Sequence, residues 1–333
     1  MRLHHPLCAF ASLALVACEP SLPALTPAVP SKTAKPLADD GCIDAFYIGH
    51  SLCSEIPDMV AAFCAARGRE KGHPRFRFKE QFMLGTGLAK QWAQRDLAPT
   101  QRAELEPRFQ GFWFDELPKG GWDAMVMIDS VPRGKSMMPE TLAYASQLAA
   151  AAIEQSPGVR VLIYEPWHCT ASGTEKGCAH DKAETHDLRW RERLHADAPM
   201  WDQLVADLQQ AQPHAKVSLV PAGRALGVLA DAVAAGKVKG FQDITEFFGD
   251  EIHLAPYGKY FVACLHYTAL TGRSPVGLPI DIADRWGRSF WDTPNWAKQQ
   301  WSAPAPEAVA TLQEIAWQCS AGARTDTVPA ETK

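Results

Sequence analysis

Five short apolar runs, separated by segments of helical periodicity, constrain this chain more than any other feature. They are Asp44–Ile48, Phe76–Met83, Ala124–Ile128, Val159–Tyr164 and Val217–Val220. Between and after them lie predicted helices over Ser54–Arg67, Pro139–Gln155, Ala198–Ala211, Ala225–Ala235 and Tyr257–Thr271. Ile56, Met59, Val60 and Phe63 fall on one face of the first, and Trp201, Leu204, Val205 and Leu208 on one face of the third. Strands that alternate with helices imply a parallel sheet covered on both faces. The expected architecture is α/β: a three-layer α/β/α sandwich with a central five-stranded, mostly parallel sheet. Ligands of such sheets sit beyond the carboxyl ends of the strands, where the winding direction changes. Ser51, just past the first strand, falls at that expected point. Residues 98–122, rich in Pro, Glu and aromatics, read as an insertion at the rim.

With 333 residues and 47% hydrophobic content, the chain has ample material for one large core. A net charge of −5 and the lack of a long basic run argue against a nucleic-acid partner. No apolar stretch reaches the ~18 residues that a membrane-spanning helix needs, so none is predicted in the mature protein.

The N-terminus reads as a targeting segment, residues 1–18. Arg2, His4 and His5 precede an apolar stretch from Leu7 to Val16. Leu15-Val16-Ala17-Cys18 has the form of a lipobox and resembles bacterial lipoprotein signals. That resemblance implies a cell-envelope protein, periplasmic or surface-exposed. Its one link to a membrane is a lipid anchor at Cys18, with the outer membrane preferred because Glu19 does not match the aspartate retention signal. Residues 19–40, punctuated by Pro20, Pro23, Pro27, Pro30 and Pro36, read as an extended tether. Residues 41–320 are the expected globular domain, and 321–333 an expected disordered tail.

Cysteine usage fits export. Setting Cys8 and Cys18 aside leaves Cys42, Cys53, Cys64, Cys169, Cys178, Cys264 and Cys319. Cys169 and Cys178 bracket a loop rich in Gly, Ser and Thr and are the best disulfide candidates. Cys53 and Cys64 lie on one predicted helix, about 16 Å apart along its axis, and cannot bond to each other.

The chemistry concentrates at two places. An apolar run ends abruptly in Gly49-His50-Ser51-Leu52, and Asp250-Glu251-Ile252-His253 stands near the end of the domain. A serine becomes a nucleophile when a base takes its proton and a third group orients that base. An Asp three residues before a His can orient it, because positions i and i+3 share a face in one helical turn.

Together these residues resemble the SGNH (GDSL-type) hydrolase family, with Gly-His-Ser-Leu standing where the family has Gly-Asp-Ser-Leu. The likeness covers roughly residues 42–275 and implies a flavodoxin-like SGNH fold. It implies Ser51 as nucleophile, its own N–H as an oxyanion donor, His253 as general base and Asp250 as its orienter. Gly85, or alternatively Gly87, would supply a second backbone donor. Where the family often places an Asn donor, this chain has Asp129-Ser130. An ionised carboxylate cannot donate. Either Ser130 donates, or Asp129 points away, or the hole has two donors.

Glu165 and Trp167, after the fourth strand, are expected to line the pocket. Arg224 reads as a surface ion pair or as a binder of an anionic group. His168, Cys169, Cys178 and His180 are packed too tightly for ordinary zinc spacing, so no metal and no cofactor are expected. The tryptophans at 286, 291, 296 and 301 read as packing for a C-terminal segment. The expected function is an extracytoplasmic serine ester hydrolase, monomeric, that releases a small acyl group such as acetyl from a carbohydrate or other small ester. The alternatives are an acyltransferase on cell-surface polysaccharide and a non-catalytic glycan-binding protein with a degenerate hydrolase fold.

Overall fold

The computed structural model describes residues 22–31, 41–68, 72–105, 111–178, 181–291 and 301–320. The expected signal, the lipid attachment at Cys18 and the expected tail lie outside them. Five strands form one sheet: β1 (Cys42–Gly49), β2 (Arg75–Phe82), β3 (Ala124–Met127), β4 (Arg160–Tyr164) and β5 (Lys216–Val220). Their order is β2-β1-β3-β4-β5 and every neighbouring pair is parallel. The helices are α1 (Ile56–Arg67), α2 (Leu88–Trp92), α3 (Pro99–Leu105), α4 (Trp113–Glu116), α5 (Met138–Gln155), α6 (Trp190–Ala211), α7 (Ala222–Ala234), α8 (Pro256–Thr271) and α9 (Pro306–Cys319).

The pleat sorts the core into two layers. Ala45 and Tyr47 of β1, Val126 of β3 and Leu162 and Tyr164 of β4 face the layer that holds α1, α7, α8 and α9. Phe46, Ile48, Met125, Met127, Val161 and Ile163 face α5 and much of α6. Both layers are dry, so the central strands are continuous apolar runs rather than alternating ones. The chain leaves β1 toward β2 on one side and reaches β3 on the other. The winding therefore reverses at β1, and the loop that begins with Ser51 sits at that reversal.

Three differences from the sequence reading have physical causes. Helix α6 starts at Trp190, eight residues before the predicted start at Ala198, and carries Pro199 inside it. Its first turn is held by Glu192, whose carboxylate accepts from the Arg189 N–H at 3.3 Å and marks the start that the proline obscured. Helix α9 has no counterpart among the elements predicted from the sequence. It packs Val309, Leu312 and Ile315 against α7 and α8 and contributes Gln313, which donates to the Tyr260 hydroxyl at 2.7 Å. Part of the expected tether, residues 22–31, lies against the domain. Gln212 holds it by accepting from the Ala28 N–H at 2.9 Å and donating to the Thr26 carbonyl at 2.9 Å.

Cys169 and Cys178 form a disulfide, as expected. Among the described residues Cys53, Cys64, Cys264 and Cys319 are free, the first three buried. No helix of the described residues is long and apolar enough to cross a membrane. Trp291 and Trp301 pack against Tyr257 of α8, as the packing reading expects. Trp286 instead stands 68% exposed between Arg285 and Arg288.

Candidate active site

Ser51 opens a 3-10 turn immediately after β1. His50 caps that turn by accepting from the Leu52 N–H at 3.4 Å through Nδ1. That assigns the ring proton to Nε2, which donates to the Asp129 carbonyl at 3.0 Å. Burial, the largest influence, lowers the His50 pKa, so the ring stays neutral. His50 thus bridges the loop after β1 to the loop after β3. Tyr164 adds a second tie, donating to the Leu52 carbonyl at 3.0 Å.

The residue that needs Ser51's proton arrives from 202 positions away. His253 Nε2 lies 2.9 Å from Ser51 Oγ. His253 Nδ1 lies 2.8 Å from Asp250 Oδ2. A carboxylate only accepts, so Nδ1–H donates to it and Nε2 keeps a lone pair aimed at the Ser51 hydroxyl. Asp250 Oδ1 also accepts from the Ile252 N–H at 2.8 Å and the His253 N–H at 2.6 Å. Partial burial pushes the Asp250 carboxyl up, but these bonds together outweigh it and hold the pKa below 3.8. The His253 and Asp250 side chains are 36% and 33% exposed, open enough for an incoming molecule to reach the pair.

The turn 250–253 is gripped from its other side as well. Trp167 Nε1 donates to the Ile252 carbonyl at 2.7 Å. Thr170 donates to the Glu251 carbonyl through its N–H at 2.7 Å and its hydroxyl at 3.2 Å. Lys176 pairs with the Glu251 carboxylate. Thr170 and Lys176 belong to the loop that the Cys169–Cys178 disulfide closes. The N–H side of the turn therefore belongs to Asp250 and the C=O side to Trp167 and the disulfide loop.

Trp167 is wholly buried. It positions the His253 turn and offers no exposed face to a ligand, contrary to its expected place in the pocket lining. Glu165 is likewise buried, with its carboxylate on Arg224 Nε at 2.9 Å. Burial pushes its carboxyl up to about 7, against the lowering pull of Arg224. Arg224 also reaches Asp202, so it is a structural ion pair rather than an anion binder. Residues 98–122 contribute α3 and α4. Trp113 of this segment stacks on Trp92 at 4.3 Å and takes the Gln81 side chain as acceptor for its N–H.

Asp129 points away from the donor role, one of the three alternatives left by the sequence. Its Oδ1 accepts from Leu88 N–H at 3.0 Å, Ser130 N–H at 2.8 Å and Arg133 at 2.8 Å, and Oδ2 accepts from Thr141 at 2.6 Å. The carboxylate is thus saturated and neutralised by Arg133, and it ties α2 and α5 to the loop after β3. It is an organiser and not a donor. Ser130 spends its N–H on Asp129 and keeps its hydroxyl.

The two glycines differ. Gly85 lies exposed in the turn after β2 with φ +61°, and a Cβ there would meet nothing within 4 Å. At Gly87 a Cβ would sit 2.4 Å from Asp129 Oδ1 and 2.8 Å from Ser130 Oγ. The close approach that forbids a side chain is therefore at Gly87. The left-handed backbone that favours glycine is at Gly85. Gln91 adds a link the sequence did not suggest. Its amide donates to the Gly49 carbonyl at 2.8 Å and to Thr86 Oγ1 at 3.0 Å, tying the glycine turn to the Ser51 loop. Nothing local marks Gln91, Thr141 or Thr170 in the sequence, because each acts on a partner in another segment.

The fold and the site together define an α/β/α protein with a serine–histidine–aspartate hydrogen-bond chain at its sheet reversal. No protein family's sequence model matches the chain, and no curated protein matches it. Among solved structures, the chain resembles a DUF4886 family protein from Bacteroides uniformis, with 13% identity and a TM-score of 0.52 over 83% of this chain and 94% of that one. A crystal structure of an acetyl xylan esterase, AlAXEase, aligns with 12% identity and a TM-score of 0.40 over 68% of this chain and all of that one. The first likeness supports the α/β/α fold.

Proposed function

We propose that this protein is a serine ester hydrolase of SGNH type. One observation carries the reading: the unbroken chain Ser51 Oγ, His253 Nε2, His253 Nδ1, Asp250 Oδ2, with links of 2.9 and 2.8 Å. Such a chain serves a reaction in which a hydroxyl must lose a proton as it attacks.

Ser51 Oγ attacks an ester carbonyl carbon while its proton moves to His253 Nε2. Asp250 stabilises the imidazolium through Nδ1–H. The carbonyl oxygen becomes an oxyanion that the Ser51 N–H and a donor from the glycine turn after β2, at Gly85 or Gly87, stabilise. The Ser130 hydroxyl is a third donor in this scheme. Each donor of this kind is worth about 10²–10³ in rate. Collapse of the intermediate breaks the bond to the alcohol oxygen, which takes the proton from His253 Nε2. Water then repeats the sequence on the acyl-Ser51 ester and releases the acid. We extend the reading to an extracytoplasmic protein, anchored through Cys18, that removes small acyl groups such as acetyl from carbohydrate.

The test is labelling with a fluorophosphonate probe, which reacts only with an activated serine. The wild-type domain should label, and Ser51→Ala and His253→Ala should not. A folded wild-type protein that stays unlabelled would exclude the esterase and acyltransferase readings together and leave a binding role.

A further inference from the structure

The chain departs from the SGNH pattern at position 50, where His stands for Asp, and at position 129, where Asp stands for Asn. The structure bonds these two residues to each other. His50 is buried, with 3% of its surface exposed. Its Nδ1 accepts from the Leu52 N–H at 3.4 Å and its Nε2 donates to the Asp129 carbonyl at 3.0 Å. Leu52 belongs to the turn that opens with Ser51, and the Asp129 carbonyl to the peptide that leads into Ser130. Both ends of this link are stiff. The turn is closed by the Cys53 N–H on the His50 carbonyl at 2.8 Å and by Tyr164 on the Leu52 carbonyl at 3.0 Å. The 129–130 peptide is held at its opposite edge by the Ser130 N–H on Asp129 Oδ1 at 2.8 Å. The same oxygen accepts from the Leu88 N–H, next to Gly87 of the glycine turn, at 3.0 Å.

One side chain here meets two opposite demands. The Leu52 N–H needs a lone pair, and the Asp129 carbonyl needs a proton. A neutral imidazole carries one of each. A carboxylate answers only the first demand, and an imidazolium only the second. Burial keeps the ring neutral. The charge of His253 also bears on it, so a neutral His50 sets no second cation beside His253 when that ring takes up a proton. The two segments that His50 joins carry donors of the esterase reading, the Ser51 N–H on one side and the Ser130 hydroxyl on the other. Groups of this kind lose on the order of 10²-fold in rate when displaced by about 1 Å.

We infer that His50 is a positioning residue of the reaction: as a two-ended strut it sets the spacing between the Ser51 turn and the Ser130 loop, and with it the spacing of their oxyanion donors. The inference rests on the esterase reading above and adds to it a residue that acts through its neighbours. Position 50 then requires one donor and one acceptor on a neutral side chain. The aspartate of the Gly-Asp-Ser-Leu pattern does not meet that requirement in this fold.

Three variants separate the two ends of the strut. In His50→Gln the amide reaches toward the place of Nε2 and keeps the donor to Asp129. In His50→Asn it takes the place of Nδ1 and keeps the acceptor for Leu52. His50→Asp keeps that acceptor and has no donor. The Ser51 turn retains its Cys53 and Tyr164 bonds in all three. With p-nitrophenyl acetate, His50→Gln should stay within about threefold of the wild-type kcat, and His50→Asn and His50→Asp should each lose about tenfold or more, because oxyanion donors act in the transition state. KM should change little in any of them. Fluorophosphonate labelling rates should fall in the same order. Thermal melts of the same samples separate positioning from folding. Losses of kcat that follow the melting temperature rather than the donor would overturn the inference. So would a wild-type kcat in His50→Asn or His50→Asp, or equal losses in His50→Asn and His50→Gln. In each of these cases the wild type still labels and turns over, and the esterase reading stands. A wild-type protein that neither labels nor hydrolyses would remove the esterase reading, and this inference with it.

Discussion

The Trp167 indole N–H donates to the Ile252 carbonyl at 2.7 Å, and this bond lies one residue from the base of the proposed reaction. A fully buried indole cannot bind substrate, but it can set where His253 points. Trp167→Phe keeps most of the ring and deletes the donor. One net hydrogen bond is worth roughly 1 kcal/mol, so kcat should fall about threefold to tenfold with KM little changed. Steady-state kinetics on a soluble acetate decide it. An unchanged kcat would mean that the remaining bonds to the turn suffice.

Asp250 performs two tasks, closing its own turn and fixing the His253 tautomer. Asp250→Asn preserves size and can still accept from the two backbone N–H groups. It no longer enforces a proton on Nδ1. The expected loss is on the order of 10⁴ in kcat, as in other serine triads where this tautomer is lost. A loss below tenfold would show that His253 is oriented by other means.

Gly85 and Gly87 should respond differently to alanine. Gly85→Ala meets open space and strains only a left-handed backbone, a cost of about 1 kcal/mol. Gly87→Ala places a methyl 2.4 Å from a carboxylate that has four donors. It should cost roughly 3 kcal/mol and distort the Ser130 loop, with activity lost in step. Melting temperatures and kcat of the two variants, measured together, test the distinction. Equal effects would contradict it.

Stability should fall as the protein is acidified from neutral pH. His50, His168 and His266 are buried with pKa values lowered from 6.5, His266 to about 3, chiefly by desolvation. Below 6.5 the unfolded chain protonates these three rings more readily than the folded chain does. Glu165 opposes them: its carboxyl, raised from 4.5 to about 7, holds a proton in the folded state that unfolding releases. Three protons gained against one released leaves at most two taken up on unfolding between pH 5 and 6. The slope is then up to roughly 2–3 kcal/mol per pH unit, with stability lost as pH drops. Urea midpoints at pH 5, 6 and 7 measure it. In Glu165→Gln the fall should steepen.

The parts of the site that announced themselves were those whose chemistry is local in sequence. Asp250 and His253 share one turn, and Ser51 sits where an apolar run breaks, so the resemblance to the SGNH pattern could assign their roles. The five strands were visible because buried parallel strands are unbroken apolar runs. What stayed hidden depends on burial and on partners far along the chain. Nothing in Glu165-Pro166-Trp167 shows that Glu165 turns into Arg224 and Trp167 turns under Ile252. Asp129 looked like a damaged oxyanion donor because its four donors come from segments before and after it. Pro199 masked the true start of α6, which the Glu192 carboxylate caps at the Arg189 N–H ten positions earlier.

The thiol distribution has a consequence for how the protein matures. Burial pushes the Cys319 thiol up to about 11 and Cys64 to about 12, and it pushes Cys53 and Cys264 well above the usual thiol range. Disulfide exchange proceeds through thiolate, so at neutral pH these groups are chemically silent once the core has closed. Cys169 and Cys178, by contrast, lie on a partly open loop and are the pair that oxidises. A chain that folds before it is oxidised therefore reaches one disulfide isomer. A chain oxidised while unfolded is offered wrong pairings that the finished fold does not permit.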